Sequence, residues 1–288
     1  RYAGDIAVAG KVRFALPAST DPARKFILVN EEISNITAIS NFTTRNFINY
    51  ALTANQGDYL IISNPGIYND GNGVNYVDLY RQYRSSVAGG SFNTKVVSID
   101  ELTDQFAFGI NKHPAAIRDF IRFADQQFLP KAKYVFIIGR GISSSEYASN
   151  TTDQTINKLD LVPTFGWPAS DMLLSCDHNK LVPLIPIGRL GVVNGTEVKY
   201  YLNKVKEYEL AQASLTQTSG QKGWMKNVIH VSGGRDSAES AQFRFYLDSY
   251  KSIIEDTLYG ADVESFNKTS NSSVQQASGL QIEQLING

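Results

Sequence analysis

The chain has 288 residues, 42% of them hydrophobic, which is enough length and apolar content to bury a core and excludes a disordered tail or linker. Its 27 basic and 28 acidic residues leave a formal net charge of -1 and no global basic surface for phosphate backbones, which excludes nucleic acid as a partner. Charged residues are 19% of the chain, and 15 Tyr and 15 Phe sit among many Ser, Thr and Asn, a balance that suggests an exported protein.

The first fifty residues alternate short apolar runs, such as Phe26-Ile-Leu-Val29, with Ser, Thr, Asn and Pro clusters, and read as short strands and turns without a helix. From Asp58 the texture changes. Asp58-Tyr-Leu-Ile-Ile-Ser63 is a continuous apolar run between polar turns, the pattern of a strand covered on both faces. Thr94-Lys-Val-Val-Ser-Ile99, Lys133-Tyr-Val-Phe-Ile-Ile-Gly139 and Asn227-Val-Ile-His-Val-Ser232 repeat it. Between them, Tyr76, Val77, Tyr80, Tyr83 and Val87 recur at helical spacing, as do Ile117, Phe120, Ile121, Ala124 and Phe128 after Pro114. Alternating strands and helices predict an α/β fold with a parallel sheet. A long amphipathic helix follows over 197–213, with Val198, Tyr201, Leu202, Val205 and Tyr208 on one face. The polar stretch from Ser214 to Gly223 is the best internal boundary. After it the pattern restarts with a strand over 227–232, a helix over about 238–258, a strand over 262–266 and a helix over about 274–286. This divides the chain into a β-rich segment at 1–52, an α/β subdomain at 53–216 and the start of a second at 217–288. The next element after Gly288 is expected to be a strand whose carboxyl-end loop is active-site ground.

Few residues carry chemistry on their own. Cys176 is the single cysteine, so no intrachain disulfide forms, and the redox compartment stays open. A thiolate nucleophile needs a base within reach, and His178 is two residues away, but i and i+2 side chains do not converge in a helix. The alternative for Cys176 is a small buried apolar residue at a strand end. His113, His178 and His230 are scattered without zinc spacing, and His230 reads as a core histidine of a buried strand. Asn69-Asp-Gly-Asn-Gly-Val-Asn75 lacks the distal Glu and most carboxylates of a calcium loop and reads as a turn. Ser232-Gly-Gly-Arg-Asp236 follows a strand and precedes a helix, where glycine-rich loops hold phosphates, yet it lacks both phosphate-loop patterns; a tight strand-to-helix turn is the plainer reading. No apolar run approaches the roughly 20 residues that span a bilayer. The chain opens on Arg1 without a signal-peptide core, as a processed or trimmed piece would. Asn-x-Ser/Thr triplets at Asn35, Asn41, Asn150, Asn194, Asn267 and Asn271 are explained by abundance of these residue types.

Several segments, taken in order, resemble the gingipain-like cysteine peptidases of Bacteroidetes, the family that includes the type IX secretion sortase. They are Asp58 to Ser63, Pro114-Ala-Ala-Ile-Arg-Asp-Phe120, Tyr134-Val-Phe-Ile-Ile-Gly139, Val162-Pro-Thr-Phe165 with Ser170-Asp171, and Ile187-Gly-Arg-Leu190 followed by Val198, Lys204, Val205, Tyr208 and Glu209. Trp224-Met-Lys-Asn-Val-Ile229 closes the series, so the resemblance covers roughly residues 55 to 288. It implies a caspase-like α/β fold in two subdomains, a protein or peptide substrate, and secretion to the outer-membrane surface of a Bacteroidetes-type bacterium with type IX secretion components as partners. It also implies a His and Cys dyad that lies after Gly288, no required cofactor, and bound calcium in some members. The family does not use the position of Cys176 for catalysis. Two loops depart from the pattern: Ser232 stands where gingipains have an acidic residue, with Asp236 and Glu239 nearby, and Arg140 follows Gly139 where many relatives have Asp. The loop of Ser232, Gly233, Gly234 and Asp236 is the site-supporting candidate. Ser170, Asp171, Gly188 and Arg189 match the family as structural residues, Asp171 capping a turn or pairing with a charge and Arg189 tying strand to helix.

Three functions follow: the N-terminal part of a gingipain-like or sortase-type peptidase, inert without its dyad; a non-catalytic surface module that binds a partner or a glycan; and, on the Gly233-Gly234 turn alone, a nucleotide-binding domain.

Overall fold

In a computed structural model the chain is described over residues 44–150, 152–177, 180–214, 218–268 and 276–287, and at positions 5–8, 11–13, 15–16, 18, 20, 24, 32–35 and 37 of the first 43. Two compact units divide it, Arg1–Asn46 and Phe47–Gly288. In the first, β1 (Asp5–Val8) pairs antiparallel with β2 (Lys11–Arg13). The run Phe26 to Val29 lies outside the described residues.

The second unit follows the alternation of its sequence. Its elements are β3 (Tyr59–Ser63), α1 (Tyr76–Ser85), β4 (Thr94–Ser98), α2 (Ile99–Phe106), α3 (Ala115–Gln127), β5 (Tyr134–Ile138), α4 (Ser144–Ser149), α5 (Gln154–Leu159), α6 (Met172–Ser175), β6 (Ile187–Leu190) and α7 (Gly195–Ala213). The strands form one parallel sheet in the order β4-β3-β5-β6. Helices on both faces explain the unbroken apolar runs, because a strand buried on both sides has no solvent-facing register. On one face Leu60, Ile62, Val97, Val135 and Ile137 pack against α2 and α3 through Leu102, Ile117, Phe120 and Ile121. On the other, Ile61 and Ile138 pack against α1 and α7 through Val77, Tyr80, Val198 and Leu202.

Local chemistry sets the helix ends. Asn75 caps α1 by accepting the N–H of Asp78, and Asn194 caps α7 by accepting that of Glu197. The helix α1 ends at Ser85, so Val87 lies past its apolar stripe and is 90% exposed, contrary to its expected place on the helix face. α1 and α7 are tied by charge: the Tyr83 hydroxyl donates to Glu209 Oε2 at 2.6 Å and Arg84 Nη1 donates to Glu209 Oε1 at 2.7 Å.

A second parallel pair follows, β7 (Asn227–Ser232) and β8 (Asp262–Asn267), with α8 (Ser237–Ile254) between them and α9 (Gln276–Asn287) after. The expectation that β7 is covered on both faces is corrected here. Its residues up to Val231 are half-buried or exposed, with Val231 60% exposed, because β7 has one strand neighbour and α8 buries none of its residues fully. No helix among the described residues is long and apolar enough to cross a membrane.

Phe120 is fully buried and packs against the rings of Tyr50, Phe106 and Phe128. Truncation to Ala in such a cluster leaves a cavity, and Phe120→Ala is expected to lower stability by about 3–5 kcal/mol, read as a fall in the urea midpoint at constant slope.

Candidate functional site

In an open parallel sheet the natural binding crevice opens beyond the strand carboxyl ends, where the strand order reverses. In the first sheet that point lies between β3 and β5, and the chain fills it with its own segment Leu161 to Thr164. Asn64 Nδ2 donates to the Leu161 carbonyl at 2.9 Å, and the N–H groups of Leu161 and Val162 donate to the Arg140 carbonyl at 2.9 and 3.0 Å. Approach is so close that a Cβ on Gly139, whose φ is +144°, would stand 2.9 Å from Val162 Cγ2. A Cβ on Gly141 would meet the Val162 carbonyl at 2.5 Å.

Arg189 holds this plug in place. Its Nε and Nη2 grip both oxygens of Asp171 at 2.8 and 2.7 Å, its Nη1 reaches the carbonyls of Gly139 and Val162 at 2.8 Å each, and Nη2 adds that of Pro163 at 3.1 Å. All five guanidinium N–H groups have acceptors, the full capacity of the side chain. Asp171 makes no side-chain cap at the start of α6, so pairing with Arg189 is its contact; the Ser170 N–H donates to the Phe165 carbonyl at 2.8 Å, and Gly188 lies in β6 with open space where a Cβ would be. These four residues stand in the framework of the first sheet.

Beside the plug, Asp160 is 2% exposed and accepts the Ile142 N–H at 3.2 Å. Burial raises its carboxyl above the ordinary carboxylate range, against the pull of the Ile142 amide.

Cys176 is 5% exposed, pairs through an isolated bridge with Pro183, and offers its carbonyl to Arg122 Nη2 at 3.3 Å. A thiol so enclosed is shielded from a polypeptide. His178 lies outside the described residues, so its geometry with Cys176 does too. Two oxygens of the Asn69 to Asn75 loop serve its own backbone: Asn69 Oδ1 accepts the amides of Gly71 and Gly73, and Asp70 Oδ1 those of Asn72 and Val74, as in a turn. Among the described residues no group of three or more His, Cys, Asp and Glu could hold a metal ion.

Ser232, 6% exposed, donates to Asn267 Oδ1 at 2.6 Å across the β7–β8 pair, and its carbonyl accepts the Lys268 N–H at 2.9 Å. One rung down the same face, His230 stands in register with Ser265. His230 Nδ1 and Ser265 Oγ are buried and have no hydrogen-bond partner among the described residues, so His230 is not the satisfied core histidine expected of a buried strand. The loop itself is a tight turn. Asp236 Oδ1 accepts the Glu239 N–H at 2.9 Å, Glu239 Oε2 accepts the Arg235 N–H at 2.7 Å, and a Cβ on Gly234 would meet Ser240 Oγ at 2.5 Å, whereas Gly233 is open. These carboxylates take the donors that a phosphate would need. Ser265, Asn267 and Lys268 join the candidate site and were missed in the sequence; period-2 alternation along β8 was the available signal.

A family model described as peptidase family C25 matches residues 52–287. The chain belongs to peptidase family C25, the gingipain family. No curated protein matches it, and no solved structure does. Both parallel sheets of this C25 chain lie within the matched span, and the mixed α/β architecture with helices flanking a parallel sheet is consistent with the caspase-like fold of the family. Cysteine peptidase activity belongs to the family, and with it a protein substrate.

Two outcomes follow from the plug. Arg189→Met strands three carbonyls and a partly buried carboxylate, and is expected to cost about 3–5 kcal/mol in equilibrium unfolding. The folded chain binds the Asp160 proton more tightly than the unfolded one, so the stability linked to this group is full below the ordinary carboxylate pKa and falls as pH rises through the folded value. Asp160→Asn keeps an acceptor for Ile142 and is expected to be more stable than the parent near neutral pH and equal to it in strong acid, measured by thermal unfolding at both.

Proposed function

We propose that this chain is the N-terminal portion of a secreted gingipain-like cysteine endopeptidase or type IX secretion sortase-type peptidase, in which the plugged first sheet is scaffold and the β7–β8 carboxyl ends border the reaction site. The observation that carries it is the family match over residues 52–287, joined to the enclosure of the one cysteine at 5% exposure. A nucleophilic thiol must meet the scissile carbonyl and an activating imidazole together. In this reading the dyad lies in sequence after Gly288, the chain alone is inert, and export to the surface of a Bacteroidetes-type bacterium fits the low share of charge. In this reading no cofactor is required, and calcium is a ligand that the family resemblance allows.

A second reading, a non-catalytic surface module on the same fold, draws on the aromatics of α8: Phe245 is 68% exposed and Tyr250 56%.

Incubated with a fluorogenic casein, residues 1–288 are expected to give no turnover, and iodoacetamide to label Cys176 only after unfolding. Turnover that disappears in Cys176→Ala would sink the assignment. A longer chain carrying a His and Cys dyad is expected to cleave the same casein; failure to do so would favour the binding module.

A further inference from the structure

At the amino ends of β3 and β5, away from the plug and from the β7–β8 site, lies a cleft of about 410 Å³ lined by Tyr59, Arg84, Phe92, Tyr134, Phe136 and Gly188. Its walls are rings packed on one another: Tyr59 and Phe92 have centroids 5.3 Å apart, Tyr59 and Tyr134 5.8 Å, and Phe92 meets Tyr134 edge-on at 5.7 Å. The opening comes from Gly188. It is in register with Phe136 and so faces the same side of the sheet, and a Cβ placed on it would find no atom within 4 Å. A flat apolar group laid over Gly188 would meet ring faces and no backbone obstacle.

The charged side chain in the lining is Arg84. Arg84, 14% exposed, gives Nε to the Tyr80 hydroxyl at 3.0 Å and Nη1 to Glu209 at 2.7 Å and to the Gly89 carbonyl at 3.4 Å. Its Nη2 donors have no acceptor among the described residues. Lys133 Nζ stands 5.8 Å from the centroid of the Phe92 ring and is ion-paired with Asp58 Oδ2 at 2.9 Å. A carboxylate takes the two Nη2 N–H donors of Arg84 in charge-assisted hydrogen bonds.

The backbone beside the cleft selects the source of that carboxylate. β6 is an edge strand. The carbonyls of Pro186 and Leu190 accept the Val135 and Gly139 N–H groups of the β5 side, each at 2.9 Å. Alternation along a parallel ladder then turns the peptide groups of Ile187 and Arg189 outward, where they have no strand partner among the described residues. An extended chain can pair there, and an aromatic side chain set against a strand glycine is a favoured neighbour. The geometry points to a binding site for the carboxy-terminal residue of a polypeptide that ends in an aromatic side chain, with the ring over Gly188 and the terminal carboxylate on Nη2 of Arg84. This site does not depend on the peptidase reading, and its test measures no turnover.

The probe is an acetylated tetrapeptide ending in Phe with a free carboxylate, titrated into residues 1–288 and followed by calorimetry. Saturable binding is expected, with the carboxamide form of the same peptide about tenfold weaker for loss of the charged acceptor. N-acetylphenylalanine, which lacks backbone to pair with β6, is expected to bind more weakly than the tetrapeptide. Gly188→Leu, which fills open space and is expected to keep the parent's thermal unfolding, should abolish binding, and Tyr134→Ala should weaken it. The site is overturned by absence of saturable binding of the acid, by equal binding of acid and amide, or by binding that survives Gly188→Leu in a folded protein. Equal binding of N-acetylphenylalanine would overturn the polypeptide as its source.

Discussion

Five N–H groups on one side chain organise the first sheet. Arg189 sits on a four-residue edge strand that, by length alone, would be a weak ladder, and it binds three carbonyls from two loops together with both oxygens of Asp171. Each bond draws a non-local segment toward β6: Gly139 from the end of β5, Val162 and Pro163 from the long connection, and Asp171 from the start of α6. Because the fork is planar and rigid, the directions of these loops are set along with their distances. Lys could satisfy the charge of Asp171 but not this fan of acceptors. The crevice that a parallel sheet would otherwise offer to a ligand is thereby built shut, and the burial of Asp160 beside it follows from the same closure.

A division of labour between two sheets results. The first has both faces covered and its switch point filled. The second carries a polar line, Ser232 with Asn267 and His230 with Ser265, along the face of a strand pair that is only half-covered. Buried polar atoms without partners cost stability, and both halves carry them: Ser63 Oγ and Thr164 Oγ1 in the first, His230 Nδ1 and Ser265 Oγ in the second.

Much of the architecture is legible in the sequence because burial leaves a period. Unbroken apolar runs mark β3, β4 and β5, and three- and four-residue spacing marks α1, α3 and α7, since each was shaped by the faces it must cover. The same rule misjudged β7, whose run Val228 to Val231 looks equally apolar but has too few neighbours to be enclosed; hydrophobic residues record what a strand is suited to, not what surrounds it. The helix α2 was passed over, although Ser98 caps it and Ile99, Leu102 and Phe106 carry helical spacing, because it starts at the residue after β4 and its first turn reads as strand. Hardest to see were contacts between distant segments. Ser170, Asp171, Gly188 and Arg189 stand out through family resemblance, but which carbonyls Arg189 would reach is a property of loops whose paths no local pattern encodes. The aromatic cleft was equally hidden, since Tyr59, Arg84, Phe92, Tyr134 and Gly188 come from five different elements or connections and share no spacing.

The order of elements along the chain bears on how the molecule comes into being. Every strand of the first sheet, and the helices on both its faces, are present once synthesis has passed Ala213. Its contacts include long-range ones, such as Arg84 of α1 with Glu209 of α7, and every partner in them precedes β7, so this half can close its core on the ribosome while β7 is still being made. The exposed apolar surface of β7 and α8 then emerges beside a partner that is already solid. A nascent chain in that state is protected over its first half and open to chaperones, or to mispairing, over its second.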